Sequence, residues 1–186
     1  RQAEILVLGY LEDLVVYAVD PAVYDAQPFL GWDSQELTSI VNFAGKLVAD
    51  VGSGTGRLAL VAAPLAQAVF AVEPVTNLRR YLKEKSRRMG FTNVYPLDGL
   101  ITDLPFPAAF LDVVMSGHVF GDDFERELAE LERVTRRGGQ VVFCPGSSQS
   151  QADAHKFLTA HGYAWGWFEE PRDGMKRKYW KTIGNE

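Results

Sequence analysis

The residues with the most chemical content are Asp50-Val51-Gly52-Ser53-Gly54-Thr55-Gly56. Glycines at alternate positions let a backbone turn tightly and approach a ligand that side chains would hold away. The residues after Gly56 read as the start of a helix, whose free N–H groups suit anionic or polar ligand atoms. Further on, Glu73 closes an apolar run in Val72-Glu73-Pro74. A carboxylate at the tip of a strand can accept two hydrogen bonds from a ribose diol. Together these residues describe an adenosine-bearing ligand. A glycine triplet alone also occurs in turns that bind nothing; the flanking strand, the following helix and Glu73 separate the two readings.

The spacing narrows the ligand. No Lys follows Gly56, so the loop is not a Walker phosphate cradle, and Gly-x-Gly-x-Gly differs from the Gly-x-Gly-x-x-Gly of nicotinamide sites. Asp50 would repel a pyrophosphate and attract an ammonium and a sulfonium. His118, in Ser116-Gly117-His118 after the run 111–115, is the best reactive group. Its competing reading is a histidine that packs or hydrogen-bonds against the cofactor without acting as a base. His155 and His161 fall on a late helix and read as structural or solvent-exposed. Three scattered histidines and the single Cys144 give no metal-ligand spacing, so no metal is expected.

These residues need elements to position them. Residues 46–51 (KLVADV), 68–72, 94–97, 111–115 and 140–144 read as strands. Between them lie a helix from about residue 57, a helix over 77–89 and a helix over 124–135 that Gly138-Gly139 is expected to stop. Strands alternating with helices imply crossover units and a doubly wound, mostly parallel α/β sheet covered on both faces. After a helix near 151–161, residues 164–169 and 176–182 read as an antiparallel C-terminal hairpin across the turn-rich 170–174. Residues 1–45 fit no such unit. They read as an appendage of one or two helices, the second starting at Asp33 or Ser34 with Glu36 as a capping signal. Residues 1–186 are thus expected to form one domain, with 46–186 as its cofactor-binding sheet.

Composition sets outer bounds. The chain has 186 residues, 47% of them hydrophobic and 23% charged, which is ordinary for a globular domain and needs no metal or disulfide to hold its core. A net charge of −5 argues against general affinity for nucleic acid or anionic membranes. The basic residues Arg79, Arg80, Lys83, Lys85, Arg87 and Arg88 read as the solvated face of a helix, and Lys176-Arg177-Lys178 likewise. The apolar stretch 5–19 is too short for a bilayer span and is interrupted by Glu12 and Asp13. No convincing signal peptide precedes it. A single cysteine suits a reducing compartment, so a cytoplasmic domain is expected. Trp165, Trp167 and Trp180 read as core or interface, whereas Trp32 sits in the irregular N-terminal segment.

At this point the sequence resembles the class I S-adenosylmethionine-dependent methyltransferases, in particular the small-molecule branch that includes ubiquinone/menaquinone-biosynthesis enzymes. The resemblance covers roughly residues 44–146 and implies a Rossmann-like sheet with one reversed C-terminal strand. It implies that Asp50, Gly52, Ser53, Gly54 and Gly56 hold the methionine part of the cofactor and that Glu73 holds the ribose. Asp98, in Pro96-Leu97-Asp98-Gly99, would approach the adenine amino group. Leu104-Pro105-Phe106 and Phe110-Leu111-Asp112-Val113-Val114 match further family segments, as does the run 131–142. Two departures stand out. Arg137 replaces the usual Pro before the paired glycines, and two extra residues separate Asp98 from Leu104, which leaves the backbone of Gly99 or Leu100 as the alternative adenine contact.

The expected function is transfer of a methyl group from S-adenosylmethionine to a small-molecule acceptor, with S-adenosylhomocysteine as product. The chain would act as a monomer or homodimer, without nucleic acid or membrane. One rival is a non-catalytic S-adenosylmethionine-binding regulatory module; a less favoured one is an NAD-dependent oxidoreductase. Acceptor specificity is expected in residues 1–43, where Tyr17, Tyr24, Phe29 and Trp32 offer aromatic surface. The competing reading has those residues cap the sheet or bury it in a dimer.

Overall fold

Short runs of Val, Ala and Phe bounded by glycine and polar residues become strands because both of their faces can be buried. The computed structural model describes residues 19–184, the side chain of Phe29 excepted. Residues 5–18 of the apolar run, Tyr17 and the Phe29 side chain lie outside the described residues. In chain order the elements are α1 (Pro21–Asp25), a 3-10 turn (Pro28–Gly31), α2 (Gln35–Thr38), β1 (Leu47–Val51), α3 (Ala59–Ala62) and β2 (Ala68–Val72). They continue with α4 (Thr76–Arg88), β3 (Val94–Leu97), β4 (Leu111–Ser116), α5 (Phe124–Val134) and β5 (Thr135–Ser148). The chain then forms α6 (Ala152–Ala160), β6 (Ala164–Glu170) and β7 (Gly174–Thr182).

One seven-stranded sheet runs in the order β3-β2-β1-β4-β5-β7-β6. The first five strands pair in parallel, and β7 runs antiparallel to both β5 and β6. This is the doubly wound α/β sheet expected, with one reversed strand at its C-terminal end. Side-chain alternation divides the core between the two faces. Val48, Val113, Met115 and Val142 pack on one side with Leu58, Ala62 and Leu82, while Val51, Val114, Val141 and Phe143 pack on the other with Leu128, Leu131 and Leu158. The crevice between the C-terminal ends of β1 and β4 is where such sheets bind ligands. Among the described residues no helix is long and apolar enough to cross a membrane.

Four details differ from the sequence reading. Helix α5 ends at Val134 rather than at the glycine pair, since Thr135 is already extended. The carbonyls of Arg133 and Val134 accept from the N–H groups of Ala109 and Phe110, and Gly138-Gly139 lies inside β5 instead. A Cβ on Gly139 would sit 2.7 Å from the Asp112 carbonyl, so its glycine serves strand contact, not helix termination. Among the described residues the cap is Asp33, not Glu36: Asp33 accepts from the Gln35 N–H at 2.9 Å, and Glu36 pairs with Lys178 at 2.7 Å. Leu37, Val41 and Phe43 are buried against β1 and β4, so this part of the N-terminal segment is core. Finally, of the two readings of Trp165 and Trp167, core is the one that fails: they remain 42% and 39% exposed on the edge strand β6.

Candidate active site

A cavity of about 720 Å³ opens at the C-terminal ends of β1, β2 and β4, within the size range of small-ligand sites. Its polar floor is the loop after β1. The carbonyl of Val72, at the end of β2, accepts from both Gly52 N–H (2.8 Å) and Ser53 N–H (3.1 Å), which binds the loop to the neighbouring strand. Gly52 (φ +73°) and Gly54 (φ +51°) both adopt left-handed backbone. A Cβ on Gly52 would lie 2.5 Å from Val119, and one on Gly54 would lie 2.8 Å from the Tyr24 hydroxyl. Any larger residue would therefore close the floor. Gly56 serves packing instead, since its missing Cβ makes room for Leu82 and Leu60, away from the cavity lining.

Glu73 is the best-defined polar group of the wall. It is 6% exposed, and its two carboxylate oxygens accept from Gly54 N–H at 3.0 Å and Val75 N–H at 2.9 Å. Burial pushes its pKa up, while those two N–H groups and the Arg79 charge pull it down; the net shift is upward. Each oxygen keeps a lone pair for a ligand. Val75, Leu78, Leu100 and Ile101 supply apolar wall, and Gly99 completes it. Asp98 stands beside this wall and not in it. Arg79 holds its carboxylate at 2.9 Å while also donating to the Glu73 carbonyl at 2.6 Å.

Asp50 turns inward. Its carboxylate accepts from Ala59 N–H at 2.8 Å, so it takes the first N–H of α3, a donor that the sequence reading leaves for a ligand. That helix is short and begins at Ala59, not at Arg57. Burial above all, with the nearby Glu73 charge, pushes the Asp50 pKa up to about 7, against the opposing pull of Ala59 N–H and Arg57. Asp50 and Ser53 border a small recess behind the loop with Arg57 and His118. The buried Ser53 hydroxyl makes no hydrogen bond among the described residues.

His118 follows β4 in left-handed backbone (φ +68°) and lines both the main cavity and that recess. Its loop is held by Glu127, a buried acid on α5 whose carboxylate accepts from the N–H groups of Gly121, Asp122 and Asp123 at 2.8–3.1 Å. Two partners of His118 were not legible in sequence. Its Nε2 lies 2.9 Å from Arg57 Nη1 and 3.2 Å from Glu170 Oε1, and Arg57 and Glu170 form an ion pair with each other. Tyr24, on α1, reaches the cavity from the N-terminal segment.

Residues 49–143 match the family model described as a methyltransferase domain. The chain belongs to this family, the class I S-adenosylmethionine-dependent methyltransferases. It is 26% identical over 175 residues to an uncharacterized methyltransferase of Anoxybacillus flavithermus, covering 92% of this chain and 78% of the relative. It is 27% identical over 167 residues to one of Geobacillus thermodenitrificans, covering 86% and 74%. In fold it is similar to a SAM dependent methyltransferase from Aquifex aeolicus, with a TM-score of 0.68 at 17% identity over 87% of this chain and 97% of that one.

The family's cofactor, S-adenosylmethionine, fits the residues present. The carboxylate of Glu73 keeps acceptor capacity at the cavity wall that suits a diol, the apolar walls suit a flat base, and the glycines keep the floor open. The buried Ser53 hydroxyl, without a partner among the described residues, offers a hydrogen-bonding group in the recess behind the loop.

Proposed function

We propose that the protein transfers a methyl group from S-adenosylmethionine to a small-molecule acceptor within this cavity. The observation that carries the reading is Glu73, buried, locked to the glycine loop through Gly54 N–H, and facing a cavity of ligand size. In this reading Glu73 accepts from the ribose hydroxyls, while Gly52, Ser53 and Gly54 border the methionine part. Gly99 meets the adenine through its backbone, with Asp98 beside it, and Gly56 keeps the loop packed. Asp50 acts from behind the loop, where a bound cation would favour its ionised form over the neutral one that burial favours. Once bound, the cofactor supplies a methyl group on a sulfonium, which leaves as a neutral thioether. The protein then contributes alignment and electrostatics around a positive charge that disappears. His118, at the far side of the glycine loop, faces the acceptor and can take its proton when the nucleophile arrives protonated.

Calorimetry with S-adenosylhomocysteine tests the cofactor assignment, and a panel of small O-, N-, S- and C-nucleophiles with S-adenosylhomocysteine release as readout tests the reaction. Binding and turnover are expected. Binding of NAD(H) in place of S-adenosylhomocysteine would overturn the reading in favour of an oxidoreductase. Binding without turnover on any acceptor, together with a stable partner protein, would favour a regulatory module. Sedimentation velocity separates monomer from homodimer, the two states the proposal allows.

A further inference from the structure

The cavity's far side holds a charge arrangement that cofactor binding does not require. Glu170, the last residue of β6, is fully buried. Its Oε1 ion-pairs with Arg57 Nη1 and lies 3.2 Å from His118 Nε2, while Oε2 lies 3.9 Å from Lys176 Nζ. Arg57 is itself buried, with its guanidinium 4.6 Å from the centre of the Trp32 ring. Burial raises the Glu170 pKa, but the His118 contact and the Arg57 charge outweigh it and hold the carboxyl down at about 2. Glu170 is therefore an anion at neutral pH.

A buried ion pair is weak as a device for stability, because desolvation consumes most of its Coulomb energy and an apolar replacement often serves as well. What this pair does have is geometry. It brings a cation from the glycine-loop segment and an anion from the C-terminal hairpin onto one nitrogen of one imidazole. That imidazole stands between the main cavity and two smaller recesses, at a backbone φ of +68°. Nε2 either donates to Glu170 Oε1 or accepts from Arg57 Nη1, not both at once, and a ring flip breaks both contacts. Side-chain partners of this kind decide which nitrogen of a histidine carries its proton.

We propose that Glu170, held by its ion pair with Arg57, accepts from the Nε2–H of His118, so that the two form a positioning pair that keeps the ring in a single orientation with Nδ1 unprotonated at the acceptor end of the cavity. The role given to His118 rests on the methyltransferase reading above; the fixed ring does not. Neither Glu170 nor Arg57 needs to touch the acceptor. The pair acts through His118, and it makes β6 and the 170–174 turn part of the active site.

The test is ring-nitrogen NMR on protein labelled with ¹⁵N-histidine, with the His118 signals assigned by their loss in His118→Ala. In the wild type, His118 should show one protonated and one unprotonated nitrogen, well separated. In Glu170→Gln, which keeps the shape and removes the charge, the two signals should collapse toward an averaged position as the ring exchanges forms. An averaged wild-type signal, or an unchanged one in a folded Glu170→Gln protein, overturns the proposal. Should Glu170→Gln fail to fold, Arg57→Lys, which keeps the charge and loses the fixed geometry, carries the same comparison. Adding S-adenosylhomocysteine to the wild type should move the His118 signals and leave those of His155 and His161 in place. Binding that leaves His118 unmoved overturns its position at the acceptor end. Failure of S-adenosylhomocysteine to bind refutes the cofactor reading alone, since the ring comparison still decides whether the pair fixes His118.

Discussion

Replacing Glu73 by Gln isolates what the carboxylate does for the ligand from what it does for the loop. In the folded protein its two oxygens accept from Gly54 N–H and Val75 N–H at 3.0 and 2.9 Å. Glu73→Ala would remove both acceptors and leave two buried donors, each unmade bond costing about 1–3 kcal/mol, so lost affinity would be mixed with a disordered loop. Glu73→Gln keeps one acceptor and places an amide N–H₂ against the other donor. Part of that loss is offset, because the amide carries no charge to desolvate, the burial cost that raises the Glu73 pKa. The melting temperature should accordingly change little. Ligand binding loses more: a hydrogen bond to a charged group contributes about 1.5–3 kcal/mol, and an amide can replace at most one of two such bonds to a ribose diol. S-adenosylhomocysteine should bind about ten- to a hundredfold more weakly, read by calorimetry. A ribose-deoxy analogue completes a double-mutant cycle. It should lose affinity for the wild type and lose much less for Glu73→Gln. Equal losses in both proteins, or unchanged affinity in Glu73→Gln, would take Glu73 out of the ribose site.

Two further outcomes follow from the loop. Gly54→Val puts a β-branched side chain at φ +51° with its Cβ 2.8 Å from the Tyr24 hydroxyl, so it should abolish S-adenosylhomocysteine binding. Tyr24 can swing aside, so circular dichroism should still report a folded protein; full affinity would show that the loop is only a turn. Asp50 makes the stability pH-dependent. Its pKa is raised from 3.8 to about 7, so its contribution is fully present below about pH 4 and lost as pH rises through about 7. The loss is about 4 kcal/mol at most, at roughly 1.4 kcal/mol per pH unit. Asp50→Asn should therefore gain on the wild type between pH 5 and pH 8 in urea denaturation, and a constant difference across that range would refute the buried, protonatable Asp50.

Legibility followed the range of the interactions involved. Strands β2 and β3 coincide with their apolar runs at 68–72 and 94–97, because burial on both faces leaves a continuous local signature. The parallel order and the reversed last strand followed from the alternation of elements and the turn at 170–174. The end of α5 did not, because its last carbonyls are satisfied by Ala109 and Phe110 from another segment, which removes the need for a glycine cap. Gly54 and Glu73, which line the cavity, stand out in the sequence from position alone. The inward turn of Asp50 was not, since nothing in the local sequence says whether a strand-end carboxylate caps the next helix or faces the cleft. Arg57 and Glu170 were invisible for a stronger reason: they meet only because the β6–β7 hairpin folds back onto the segment after β1. His118 stands out in sequence for its place after a strand, with no local cue to its partners.

A common device links these residues. Around the cavity, buried carboxylates accept backbone N–H groups: Asp50 takes Ala59, Glu73 takes Gly54 and Val75, and Glu127 takes three consecutive donors in the loop after His118. Asp50 fixes the start of α3, while Glu73 and Glu127 fix loops that carry no regular structure of their own, which is how irregular backbone can hold a site to the accuracy that alignment of reactants demands. The arrangement has an electrostatic cost. Asp50 and Glu73 are both pushed up by burial, and the charge of Glu73 raises Asp50 further. A neutral or anionic ligand leaves that cost in place, whereas a ligand carrying an ammonium and a sulfonium reduces it by neutralising the pair. In the proposed reading the acids that shape the loops therefore also favour a cationic ligand, which gives Asp50 a part there although its carboxylate faces away from the main cavity.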